Sequence, residues 1–228
     1  MNTDNVDLVP SPVNGPRASE RSRSYRSPRR EEQAAATRRS VLQAARHLFT
    51  RQGYTDTTVA DVARRAKVSV DTLYASVGRK PQLLLAVHDM VLGSADEPVV
   101  AEQRDYVAAV RAAHGARAKL TTYAEALGRV FPTTVPLAES LRVAAQGDPE
   151  CRRVWDGLNQ RRATNMVMLA RELRATGDLR EDLRDEDVAH LIWTMNSPEF
   201  YQLATAGGRT AADYVATVTD VWIRTLLA

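Results

Sequence analysis

The residues of this 228-residue chain best suited to chemistry with a partner lie on one short stretch, Ser69 to Val77. A helix there places Val70, Asp71, Thr72, Ala75 and Ser76 on its outer face, with Ser69 as the cap. That is a vocabulary for reading base edges. Thr72 can bond a base or touch a thymine methyl, Val70 offers apolar contact, and Asp71 can accept from a cytosine amine. Asp71 can equally serve the helix alone, since a carboxylate in the first turn complements the helix dipole.

The elements that must position this face are legible on either side. Val41, Ala44, Ala45, Leu48 and Phe49 form one apolar stripe at helical spacing, which Gly53 terminates. Thr58, with Asp61 three residues on, is a capping-box start for a two-turn helix carrying Val59, Val62, Ala63 and Ala66. Lys67-Val68-Ser69 interrupts it and opens the next helix, which Gly78 closes. Pro81 then begins a fourth helix with Leu83, Leu84, Val87 and Val91. Two short helices joined by a tight turn between longer ones make a helix-turn-helix, whose second helix can enter the major groove.

Charge supports that reading. The net +3 divides unevenly: residues 37–80 hold nine basic against three acidic side chains, while residues 81–228 hold sixteen against twenty. A short basic segment fits phosphate neutralisation, although a solvated basic face would look the same. Residues 1–33, rich in Pro, Ser and Arg and nearly without apolar periodicity, are expected to be a disordered basic tail that either adds phosphate contacts or is simply solvated.

Beyond Gly93 the periodicity stays helical, with helices near 100–114, 118–130, 135–146, 149–176, 185–205 and 210–227. Asp148-Pro149 and Thr210 to Asp213 mark the clearest starts, and Pro198 is expected to kink or divide its helix. Absence of alternating strand patterns points to an all-α fold. The expected division is a disordered tail at 1–33, a helix-turn-helix DNA-binding domain at 34–80 and a helical domain at 81–228.

At these positions the sequence resembles the tetracycline-repressor-like (TetR) transcriptional regulators. The resemblance runs through Ala44 to Phe49, Gly53 to Val59, Val62 to Ala66, Val68 to Tyr74 and Lys80 to Val87. It implies an N-terminal three-helix DNA-binding domain followed by a helical ligand-binding and dimerisation domain. Thr58, Tyr74 and Lys80 match the family's phosphate-contacting positions. Three positions depart from the pattern: Lys67 stands where a glycine commonly makes the turn, Asp71 where glycine is frequent, and Val77 where an aromatic is common.

The resemblance also implies a homodimer on a near-palindromic stretch of double-stranded DNA, with a small-molecule effector that releases it, repression being the usual outcome. Candidate lining residues for the effector are Tyr123, Phe131, Leu137, Trp155, Met166, Met168 and Trp193, with Asn196 as the polar contact. Plain core packing would use the same residues. Tyr214, Val218, Val221 and Trp222 are the candidate dimer interface, because their helix is apolar on more than one side; a helix buried within one subunit would show the same pattern.

The alternatives are a helical regulator without a small-molecule ligand, acting as an activator or under a protein's control, and an interaction module that binds no DNA. Catalysis is not expected, nor a cofactor or metal: phosphate-binding loops, dinucleotide fingerprints and nucleophile elbows are missing, and His47, His88, His114 and His190 are scattered. A single cysteine, Cys151, and the lack of a long apolar run suit a cytoplasmic location and no membrane association.

Overall fold

The computed structural model describes residues 28–95 and 100–228. Ten α-helices account for most of them: α1 (Pro28–Asp56), α2 (Val59–Ala66), α3 (Val70–Val77), α4 (Lys80–Leu92), α5 (Asp105–Ala112), α6 (Gly115–Ala144), α7 (Pro149–Arg174), α8 (Asp185–Met195), α9 (Pro198–Ala204) and α10 (Ala211–Leu226). Among the described residues the β-structure is one isolated bridge, between Leu179 and Leu227. The expected all-α class is therefore the observed one.

Two hydrophobic cores organise these helices. The first, in the head of the molecule, joins Val41, Leu42, Ala45 and Phe49 of α1 to Val62 and Ala63 of α2, Leu73 of α3 and Leu83, Leu84, Val87 and Met90 of α4. Leu137, Leu141 and Cys151, from the facing ends of α6 and α7, complete it. The second fills the body, where Leu120, Tyr123 and Leu127 of α6 meet Leu169 and Leu173 of α7, Val188 and Ile192 of α8, and Tyr214, Val218 and Trp222 of α10.

Local chemistry sets most of the boundaries. The side chains of Thr58, Ser69, Asp148, Ser197 and Thr210 accept backbone hydrogen bonds at the starts of α2, α3, α7, α9 and α10, and Thr58 and Thr210 form full capping boxes with Asp61 and Asp213. Pro198 sits in the first turn of α9, so the helix expected at 185–205 is divided at Asn196-Ser197.

Two expectations are corrected. The first helix begins at Pro28, inside the stretch expected to be a tail; its exposed first turns carry Arg, Glu and Gln, which form helices readily but leave no apolar periodicity. The remainder of the tail lies outside the described residues. The helices expected at 118–130 and 135–146 are one continuous element, α6, with Pro132 and Pro136 in its interior. Both prolines are exposed, and packing of the helix on either side of them outweighs the hydrogen bonds they remove.

Candidate nucleic-acid interface and sensor cavity

The head presents α3 as the sequence implies. Leu73 is completely buried against α1, whereas Ser69, Val70, Asp71, Thr72, Tyr74 and Ala75 are exposed and Ser76 half-buried. Two side chains of α1 hold the short helices in place: Ser40 donates to the Ala66 carbonyl at the end of α2, and Arg38 to the Ser76 carbonyl in α3. Lys67 closes α2 in the left-handed conformation, φ 57°, with its N–H and that of Val68 returning to the Ala63 carbonyl. The glycine-type turn survives with a lysine in it, at about 1–2 kcal/mol of backbone strain.

The hydroxyls on this surface are already committed within the protein. Thr58 Oγ1 accepts from the Asp61 N–H, while its hydroxyl, at 2.6 Å, and its backbone N–H donate to the Asp61 carboxylate and hold it below the usual range. Thr72 Oγ1 lies 2.8 Å from Ser69 Oγ, and Ser76 Oγ donates to the Leu73 carbonyl. Lys80, expected to contact phosphate, turns toward the end of α1: its Nζ donates to the Thr55 carbonyl at 3.3 Å and sits 4.2 Å from the Tyr54 ring centre. Lys80 therefore packs the head together, because a cation over an aromatic face is favoured where it is partly desolvated. Tyr74 remains 44% exposed beside this group, on the rim of the groove between head and body.

Below the head, α4 to α7, with the segment leading into α5 and the junction of α8 and α9, line a cavity of about 550 Å3 that is open on one side to solvent. Six of the expected lining residues surround it: Tyr123, Phe131, Trp155, Met166, Met168 and Asn196. Leu137 does not; α6 runs on without a break, which carries Leu137 round to the head's core. Trp193 stands behind the wall, its ring 5.6 Å from the Arg162 guanidinium and stacked on His190. Within the wall, Asn196 Nδ2 donates to Tyr123 Oη at 2.7 Å, and burial pushes the Tyr123 phenol well above its usual range.

Sequence reasoning missed the cavity's charged groups. Arg104, Arg111, Arg161 and Arg162 line it with Asp89 and Glu172. Asp89, on α4, accepts two bonds from Arg161 of α7, at 2.9 and 3.2 Å, and lies 3.2 Å from His88 Nδ1. Burial acts to raise its pKa, but the bonds from His88 and Arg161 outweigh burial and keep it low. Charged side chains are placed on the surface by default, so nothing in their spacing marked them as cavity residues.

The fully buried side chains of Tyr214, Val218 and Trp222 correct the expected dimer surface: they pack into the body's own core, Trp222 stacked on Tyr123 at 5.9 Å. Only Val221 of that set retains partial exposure. One face of α10 packs on α6, α8 and α9 of the same subunit, while Val215, Val221 and Ile223 remain half-exposed. Cys151 is likewise a packing residue, its thiol buried in the head's core, 3.6 Å from Tyr54 Oη and raised in pKa by burial.

A helix-turn-helix head is joined by a fourth helix to a helical body that carries a cavity. Residues 41–87 match the family described as bacterial regulatory proteins, tetR family. The chain is 36% identical over 62 residues to the HTH-type transcriptional regulator HbdR of Aromatoleum sp. (strain CIB), a match spanning 27% of either protein. Its fold is similar to that of a Saccharomonospora viridis protein described as a transcriptional regulator and solved in complex with choline, with TM-score 0.65, 17% identity and coverage of 85% of this chain and 99% of the other. The fatty acid degradation regulator FadR from Bacillus halodurans is similar at TM-score 0.63 and 16% identity, over 83% and 95% of the two chains. The matched segment runs from Val41 in α1 to Val87 in α4, so the similarity to tetR-family transcriptional regulators is carried by the head of the molecule. Among the described residues no helix is long and apolar enough to cross a membrane.

Proposed function

We propose that the protein is a cytoplasmic, homodimeric transcriptional repressor that binds a near-palindromic operator through α3 and leaves it when a small molecule occupies the cavity. The two ends of α4 carry this reading. Its first turns supply Leu83, Leu84 and Val87 to the core that seats α3, and its last turn supplies His88, Asp89 and Leu92 to the cavity wall. An effector that favours a different placement of α4 relative to α7 shifts the head between arrangements of unequal DNA affinity. The S. viridis protein of similar fold, solved with choline, supports a ligand role for the body.

On DNA, Val70, Asp71, Thr72 and Ala75 read bases, with Ser69 and Ser76 at the two ends of the same face. Tyr74, Thr58 and Lys80 grip phosphates, the last two by exchanging the internal bonds they make in the free protein. Selection from random duplexes, followed by affinity measurements across a salt series, tests this. The expected result is a palindromic site bound about a thousandfold or more above bulk DNA. Thr72→Ala relaxes preference at one base position, and Tyr74→Ala weakens all sequences about tenfold. Unchanged operator affinity in both variants defeats the assignment of α3.

A further inference from the structure

Three arginines around the body's interior meet an opposite charge. Arg161 reaches Asp89, Arg111 reaches Glu172 at 3.2 Å, and Arg174 reaches Asp185 at 2.9 Å. The buried Lys119 donates to the carbonyls of Val110 and Arg111, where the partial negative charge at the end of α5 stands in for a carboxylate.

Arg162 is different. Arg162 lines the cavity, and its guanidinium is desolvated enough to lie below the usual arginine range. Its acceptors are Asn159 Oδ1 at 2.8 Å, the Trp193 carbonyl at 3.2 Å, and the carbonyl and Oδ1 of Asn196 at 3.0 and 2.5 Å, every one of them neutral. Glu199, exposed on α9, favours its charge only through space. Arginine does not deprotonate in proteins, so a full positive charge stands in the cavity wall without a carboxylate in contact. The remaining wall includes Leu127, Phe131, Val135, Leu158 and Leu169.

We propose that the cavity takes an amphipathic carboxylate, its acid group on Arg162 and its apolar part along these five side chains, an inference that rests on reading the cavity as the sensor site. Nη2 is committed to Trp193 and Asn196 and one Nη1 hydrogen to Asn159, which leaves the Nε hydrogen and the second Nη1 hydrogen for a carboxylate, and the low polarity of the surroundings strengthens a charge-assisted bond to it. A cationic ligand finds only aromatic faces, because both carboxylates of the wall, Asp89 and Glu172, are neutralised by Arg161 and Arg111, whereas the acceptors of Arg162 leave its charge unneutralised. A neutral alcohol fills the same space but leaves the Arg162 charge as it is.

Three probes of equal chain length separate these cases: decanoate, 1-decanol and decyltrimethylammonium, titrated into the full chain by calorimetry and by the fluorescence of Trp155 in the wall. Decanoate is expected to bind about tenfold or more tighter than decanol, with the ammonium weakest; Arg162→Gln brings decanoate to within about threefold of decanol, and Arg162→Lys retains part of the difference. Circular dichroism checks each variant, with Arg162→Met as a second replacement that removes the charge; if neither folds, the wild-type ranking decides alone. Decanol or the ammonium binding as tightly as decanoate overturns the inference. So does an advantage that persists in folded Arg162→Gln, or failure of all three probes to bind. Operator affinity is measured in the same samples. Arg162-dependent binding of decanoate that leaves DNA affinity unchanged defeats the ligand-responsive reading and upholds the carboxylate preference.

Discussion

Leu73 in the head and Ala138 in the body are almost equally inaccessible to water, yet one is enclosed by side chains and the other looks into a cavity of about 550 Å3. The head is assembled from small and branched apolar residues on short helices, with the polar groups turned outward or spent on caps. The body buries aromatic rings together with Arg104, Lys119 and Asn196. A close-packed region fixes the direction in which a helix faces, and a hollow one leaves room for something else to complete it. The two kinds of interior suit the two proposed tasks, presenting a rigid surface and responding to occupancy.

That contrast can be broken by substitution. Leu73→Ala removes the side chain that seats α3, and is expected to cost about 2–5 kcal/mol in thermal or denaturant unfolding and to abolish specific DNA binding. Enlarging a small residue then separates the regions. Ala63→Leu, in the filled core of the head, is expected to cost about 1–3 kcal/mol. Ala138→Leu extends into open space, is expected to cost under about 1 kcal/mol, and should lower affinity for any cavity ligand. Equal costs at the two sites would mean that the cavity is not open in solution. The smallest effect is a gain: Lys67→Gly relieves the left-handed strain, offset in part by the greater freedom of glycine in the unfolded chain, and should stabilise by about 0.5–1 kcal/mol.

The sequence was most readable where structure is decided locally. Thr58, Ser69, Asp148 and Thr210 announced their helices because a cap depends on residues two or three positions away. The outer face of α3 followed from Leu73 and the 3.6-residue period. What could not be read is decided between elements. Nothing local says that α6 continues through Pro132 and Pro136, and that continuity moved Leu137 from the cavity to the head. Nor does the double apolar face of α10 reveal whether a second subunit or its own fold covers it, and here Tyr214 and Trp222 belong to the fold. The arginines of the cavity were invisible for a related reason, since only three-dimensional packing distinguishes an enclosed arginine from a solvated one.

The two prolines in α6 have a mechanical meaning as well. Each lacks the N–H that would bond four residues back, so the carbonyls of Gly128 and Pro132 receive no bond from the usual helical donor. This softened stretch separates Tyr123 and Leu127, which belong to the body's core, from Leu137 and Leu141, which belong to the head's. A helix bends most easily where its ladder is interrupted. Pro132 lies between Phe131 and Val135 of the body's core and Pro136 beside Leu137 of the head's, so α6, the longest helix among the described residues, has its weakest hydrogen-bond ladder where it passes from one core to the other.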